Sequence, residues 1–128
     1  MTADIEKLTE NELLKRNATA LRAVVLVVPH HGSRTSSSDA FIVAVAPKLA
    51  LIAVGYRSRY RHPNAAVVER YRARGIALFR SDLEGAITIK FPALVGEPPQ
   101  ISRYRRDARR YWTDLARDDA ADADTAER

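Results

Sequence analysis

Two short runs, residues 23–28 and 49–54, are apolar at every position, and each stops at a punctuating residue, Pro29 or Gly55. Runs of strand length without polar alternation suit strands covered on both faces, as in a parallel sheet. Parallel neighbours need a long crossover, normally a helix, and the intervening residues supply one. Ser38 can cap a helix over residues 39–46, with Asp39 near its positive end and Pro47 closing it. Asn64 can cap a second helix over residues 65–74, with Gly75 just past its end. Residues 76–79 then read as a third strand. Ser81 to Gly85 reads as a turn, and Asp82 and Gly85 are ordinary turn formers. Residues 86–91 place Ile87, Ile89 and Phe91 on one face, the pattern of a strand with one exposed side. Upstream, Thr9 to Glu12 resembles a capping box that opens a short helix ending near Asn17. The order predicts an α/β layered sheet.

A chain of 128 residues holds one modest domain. No stretch approaches the roughly 18 apolar residues of a membrane span, and no secretory leader is visible at the first residues. The chain taken alone therefore reads as soluble or cytoplasmic. Cysteine is absent, which excludes disulfides and thiolate metal sites. The net charge of +5 favours anionic partners such as nucleic acid; an arginine-rich, alanine-rich composition accounts for the same charge without a partner.

Chemistry concentrates in Pro29-His30-His31-Gly32-Ser33-Arg34-Thr35-Ser36-Ser37-Ser38, directly after the first buried strand. Open α/β sheets place their sites at that end of the strands. If the backbone stays extended, His30 and His31 point to opposite faces, one toward a site and the other beneath the loop. The plainer reading is a solvated serine-rich loop with a structural histidine. His62-Pro63 follows the second buried strand, at the same end of a parallel sheet. Ser33 as the nucleophile of a serine hydrolase has no nucleophile-elbow motif around it.

These segments resemble the hydrolase domain of the ComEC competence proteins. The resemblance is carried by Asp4-Ile5-Glu6, Val27-Val28-Pro29-His30-His31-Gly32-Ser33, Pro47-Lys48-Leu49-Ala50, Tyr60-Arg61-His62-Pro63 and Arg80-Ser81-Asp82-Leu83-Glu84-Gly85, and covers roughly residues 1–91. It implies a partial metallo-β-lactamase-like αββα sandwich, its C-terminal half, followed by a C-terminal helix. It also implies a two-metal hydrolytic site for zinc or manganese. Asp4 and His30 stand where metal ligands would be, with His31 as the fallback ligand and His31, Ser33 and His62 around the substrate. The family's earlier histidine-rich motif is absent. Ala3 and Arg61 stand where the family pattern has glycine, and Ser81 replaces a threonine. Two ligands fall short of the three that a catalytic zinc takes. The implied protein is thus part of a phosphodiesterase or nuclease of DNA uptake in natural transformation, inactive without its other half. Its implied partners are DNA, the missing N-terminal half or the membrane channel, and a second copy joined through an exposed sheet face. The rival reading is a non-catalytic nucleic-acid-binding or structural module.

Residues 92–102 read as a linker. Residues 103–117 read as a basic amphipathic helix with Tyr104, Ala108, Tyr111 and Leu115 on one stripe, and residues 118–128 as a disordered acidic tail. Arg103, Arg105, Arg106, Arg109 and Arg110 interleave with aromatics, a pattern suited to single-stranded DNA. The same helix could instead dock its apolar stripe and leave the arginines solvated.

Overall fold

The computed structural model describes residues 2–93 and 96–108. The chain divides into two compact units, residues 1–82 and residues 83–128. The first holds helix α1 (Lys7–Asn17), strand β1 (Val25–Val27), helix α2 (Asp39–Val45), strand β2 (Leu49–Ile52), helix α3 (Ala65–Arg72) and strand β3 (Ala77–Arg80). A single helical turn, α4 (Ser81–Glu84), leads out of it. The second unit pairs strands β4 (Ile87–Lys90) and β5 (Gln100–Arg103), and another short helix, α5 (Tyr104–Asp107), follows β5. The chain is therefore mixed α/β. Among the described residues, no helix is long and apolar enough to cross a membrane.

Strands β1, β2 and β3 form a parallel sheet in sequential order, with Leu26 beside Ala50 and Ala50 beside Leu78. Two crossovers stepping in the same direction carry their helices to the same face. The core shows the result: Phe41, Ile42 and Val45 of α2 and Val67, Val68 and Tyr71 of α3 pack on Leu26, Ala50 and Ile52. The opposite face carries Val25, Val27, Leu49 and Leu51, which are only half-buried. The expectation of strands covered on both sides thus holds for one face. β1 is also an edge strand of the three, and β2 is the central one.

The helix caps follow the sequence at two places. The Ser38 hydroxyl accepts the amide of Phe41, and the Asn64 side chain accepts that of Ala66. At α1 they do not. The helix begins at Lys7, two residues before Thr9, and Glu6 at its start makes no side-chain cap. Thr9 and Glu12 therefore lie within the helix, and Glu10 between them is buried. In the second unit, the segment read as a linker contains β5, whose Ile101 lies opposite Ile89 of β4. That apolar cross-strand pair is a reason to extend the sheet. The expected helix start at Arg103 is moved to Tyr104, and the Asp107 carboxylate accepts the Arg103 amide at 2.5 Å. The remainder of that helix and the acidic tail lie outside the described residues.

Candidate functional site

The end of β1 does not stay extended. His30, His31 and Gly32 adopt φ of 48°, 54° and 78°, a left-handed turn in which two residues carry a Cβ. Such a conformation costs about 1–2 kcal/mol per L-residue and persists only when its surroundings hold it. Three contacts do so. The His30 amide donates to the Ala3 carbonyl at 2.8 Å, the Ser33 amide donates to the His30 carbonyl at 2.8 Å, and the Asn64 amide donates to the Gly32 carbonyl at 2.9 Å. The turn overrides the simple alternation expected of the two histidines.

Gly32 is where the two histidine loops meet. A Cβ built on it would lie 2.7 Å from the Pro63 Cβ and 3.3 Å from its Cα. Pro63 follows a cis peptide bond from His62. The His62 ring comes within 6.1 Å of the His30 ring, and the His31 ring lies 6.5 Å from His30 on another side. All three imidazoles of the chain therefore gather at one rim of the parallel sheet.

Each carboxylate takes a different histidine. The His31 Nδ1 lies 2.5 Å from the Ala53 carbonyl. A carbonyl only accepts, so Nδ1 carries the proton and Nε2 of the neutral ring holds the lone pair. That Nε2 lies 3.5 Å from Asp4 Oδ1. An imidazole oriented through Nδ1 by a backbone carbonyl, with Nε2 turned to a carboxylate, pairs with that carboxylate when protonated and offers Nε2 to a metal ion when neutral. His30 is held otherwise: its Nδ1 is buried and sits 3.2 Å from Glu6 Oε1, off the alignment of a hydrogen bond. Glu6 is itself fixed by the Thr35 hydroxyl at 2.9 Å. Asp4 therefore lies against His31, the fallback ligand of the resemblance, and Glu6 against His30. Among the described residues, no group of three or more potential ligands converges on one point.

His31, Ser58, Tyr60, His62 and Ser81 line a cavity of about 300 Å³, at the small end of ligand sites. Ser81, expected as a turn residue, ties off the end of β2, since its hydroxyl donates to the Val54 carbonyl at 2.7 Å and accepts the Val54 amide at 2.8 Å. Asp82 grips Arg80 through two oxygens, at 2.7 and 3.1 Å. Ser33 faces inward. It is buried, and its hydroxyl shares a hydrogen bond with Thr35 at 3.1 Å, so it holds the loop.

The serine run is not a solvated loop. Ser36 and Ser37 are fully buried. Glu10, equally buried, accepts the Ser37 amide at 2.6 Å and the Ser38 amide at 2.8 Å. Arg70 donates to the Ser36 and Ser37 carbonyls, and the Tyr71 hydroxyl donates to Ser37 Oγ at 3.0 Å. Burial pushes the Tyr71 phenol up to about 12, with the Ser37 hydrogen bond opposing and the Glu10 charge adding to the shift. Sequence reading missed Glu10, Arg70 and Tyr71 because their partners lie about 27 to 34 residues away in sequence.

The C-terminal arginines differ in setting. The Arg103 Nη1 lies 3.6 Å from Glu84 Oε1, and its Nη2 lies 3.8 Å from Asp107 Oδ1, so part of its charge is engaged within its own unit. Arg105 and Arg106 belong to α5. Arg109 and Arg110 lie outside the described residues.

No protein-family model and no solved structure matches the chain. Curated relatives do. The chain is 45% identical over 87 residues to competence protein ComA of Neisseria gonorrhoeae, a match covering 68% of this chain and 13% of that protein. It is 35% identical over 96 residues to ComE operon protein 3 of Bacillus subtilis, covering 75% of this chain and 12% of that protein. It is 37% identical over 93 residues to the uncharacterized protein YcaI of Escherichia coli, covering 73% of this chain and 12% of that protein. The chain thus corresponds to about an eighth of the length of these relatives, the first of which is named for competence.

Proposed function

We propose that this chain forms part of a metal-dependent phosphodiester hydrolase acting on DNA during natural transformation, within a sandwich of metallo-β-lactamase type. The observation that carries the reading is His31, which donates its Nδ1–H to the Ala53 carbonyl and turns Nε2 toward Asp4. A carboxylate and a neutral imidazole suit zinc or manganese. They fit as two donors of a larger set, since a catalytic zinc takes three protein ligands. In this proposal the others come from the longer protein of which the relatives show far more. A bound divalent ion would supply Lewis-acid polarisation of the phosphoryl oxygens.

The chain's own residues would then divide the work. Asp4 and His31 hold the ion, and His30 with Glu6 fixes the turn that presents His31. His62, on the cavity wall, is placed to give a proton to the departing oxygen. Ser33 keeps the loop in shape.

The rival reading, a nucleic-acid-binding module without catalysis, draws support from the absence of a third ligand among the described residues. A chimera separates the two. This chain replaces the matched segment of the gonococcal competence protein, and cleavage of a labelled oligonucleotide is followed with manganese or zinc. Metal-dependent cleavage lost in His31→Ala and in Asp4→Asn supports the proposal. A chimera that binds DNA but is inert with each metal, beside an active parent, supports the rival. An inert parent ends the hydrolytic reading for both.

A further inference from the structure

The loop between β2 and α3 holds groups that the metal donors leave unused. The Ser58 amide donates to the Gly55 carbonyl and the Arg61 amide to the Ser58 carbonyl, each at 3.1 Å, so two successive turns shape the loop. Tyr60 is 68% exposed, yet its ring stacks on His62 at 6.3 Å and 21°. The Arg57 guanidinium lies 5.2 Å over the Tyr56 ring and that of Arg59 lies 5.4 Å over the Tyr60 ring. Arg57, Arg59 and Arg61 are exposed, and among the described residues none of them pairs with a carboxylate.

An exposed tyrosine and three solvated cations contribute little to folding. Together they match a ligand that has a flat ring and adjoining negative charges. Tyr60 and His62 both line the cavity that His31 enters, so such a ligand would lie against the candidate site. We infer that Tyr60 is a base-stacking platform once the Arg59 guanidinium leaves its ring for a phosphate, with Arg57 and Arg61 on the flanking phosphates, which places an unpaired nucleotide at the His31–His62 cavity. This rests on the nucleic-acid reading proposed above. Tyr60 would then be a specificity-determining residue: a base is free to stack on it only where its face is not covered by a neighbouring base, and stacking tolerates any base.

The test is binding of two labelled strands to the intact chain, an oligothymidylate and an abasic strand of equal length. The native chain is expected to bind the base-bearing strand about tenfold more tightly. Tyr60→Ala should erase that difference without weakening abasic binding, and Tyr60→Phe should restore it. Arg59→Ala should weaken both strands and lower the salt slope by about one phosphate contact. Equal affinity of the native chain for the two strands, or a preference that survives Tyr60→Ala, overturns the platform and leaves the nucleic-acid reading standing. Binding to neither strand overturns both. Base-dependent binding beside an inert chimera removes hydrolysis alone.

Discussion

Gly32→Ala puts the joint between the two histidine loops under direct strain. The new Cβ would stand 2.7 Å from the Pro63 Cβ, about 1 Å inside ordinary carbon contact. A proline ring cannot swing aside, so either the His30–Gly32 turn or the His62–Pro63 segment must shift. Overpacking of this kind costs about 1–3 kcal/mol. The φ of 78° at Gly32 adds about 1–2 kcal/mol for an L-residue, offset by about 0.4–1 kcal/mol from the stiffer unfolded chain. The expected net loss is about 1–5 kcal/mol, centred on about 3, a large share of the stability of a small domain. Gly75→Ala supplies the control. Gly75 has a similar φ of 66°, but nothing lies within 4 Å of its built Cβ, so it bears the backbone cost alone. Urea unfolding followed by circular dichroism measures both, read as a change in midpoint at constant slope. If Gly32→Ala loses no more than Gly75→Ala, the loops are not locked through Pro63 and the reasoning fails.

Further outcomes can be checked the same way. Glu10→Ala should cost about 3–5 kcal/mol, because the Ser37 and Ser38 amides lose a charged acceptor; a loss below that of an exposed helix substitution would show the latch to be idle. Ala3 and Arg61 have φ of 39° and 52°, so Ala3→Gly and Arg61→Gly should each stabilise by about 0.5 kcal/mol, relief of the left-handed backbone exceeding the added unfolded-chain entropy. Because the Tyr71 phenol is pushed up to about 12, folding favours its neutral form. That contribution is complete below the unfolded value near 10 and is lost as pH rises toward 12. Tyr71→Phe should flatten the pH dependence of urea stability in that window, and an unchanged profile would contradict it.

The parallel sheet was legible because continuous apolar runs and two side-chain caps agreed on one answer; Gly75 lies two residues beyond the C-cap Ala73 rather than directly after it. Strand coverage was less so. A run such as that of β1 looks alike whether one face or two is covered, and only the placement of α2 and α3 on one side separates the cases. The histidine loop stands out in the sequence, but its left-handed turn has no local signal beyond Gly32. It exists because Ala3, Asn64 and Ala53, from elsewhere in the chain, hold it. Likewise Thr9 to Glu12 fits a capping box by pattern, while the Glu10 carboxylate finds two amides across the fold. The helix starts at Lys7, so Thr9 lies inside it and the box is not made, and the Glu10 contacts carry no local signal. The positions where glycine is absent from the resembled pattern, Ala3 and Arg61, both proved left-handed, so the departure marked backbone strain there.

The most direct measurement is the long-range nitrogen NMR spectrum of the three imidazoles during a zinc titration. His31 should start as the Nδ1–H tautomer, and added zinc should shift its Nε2 resonance, with Asp4→Asn weakening the response. A His31 that carries its proton on Nε2, or a zinc response confined to His30, would contradict the assignment of Asp4 and His31 as the donor pair.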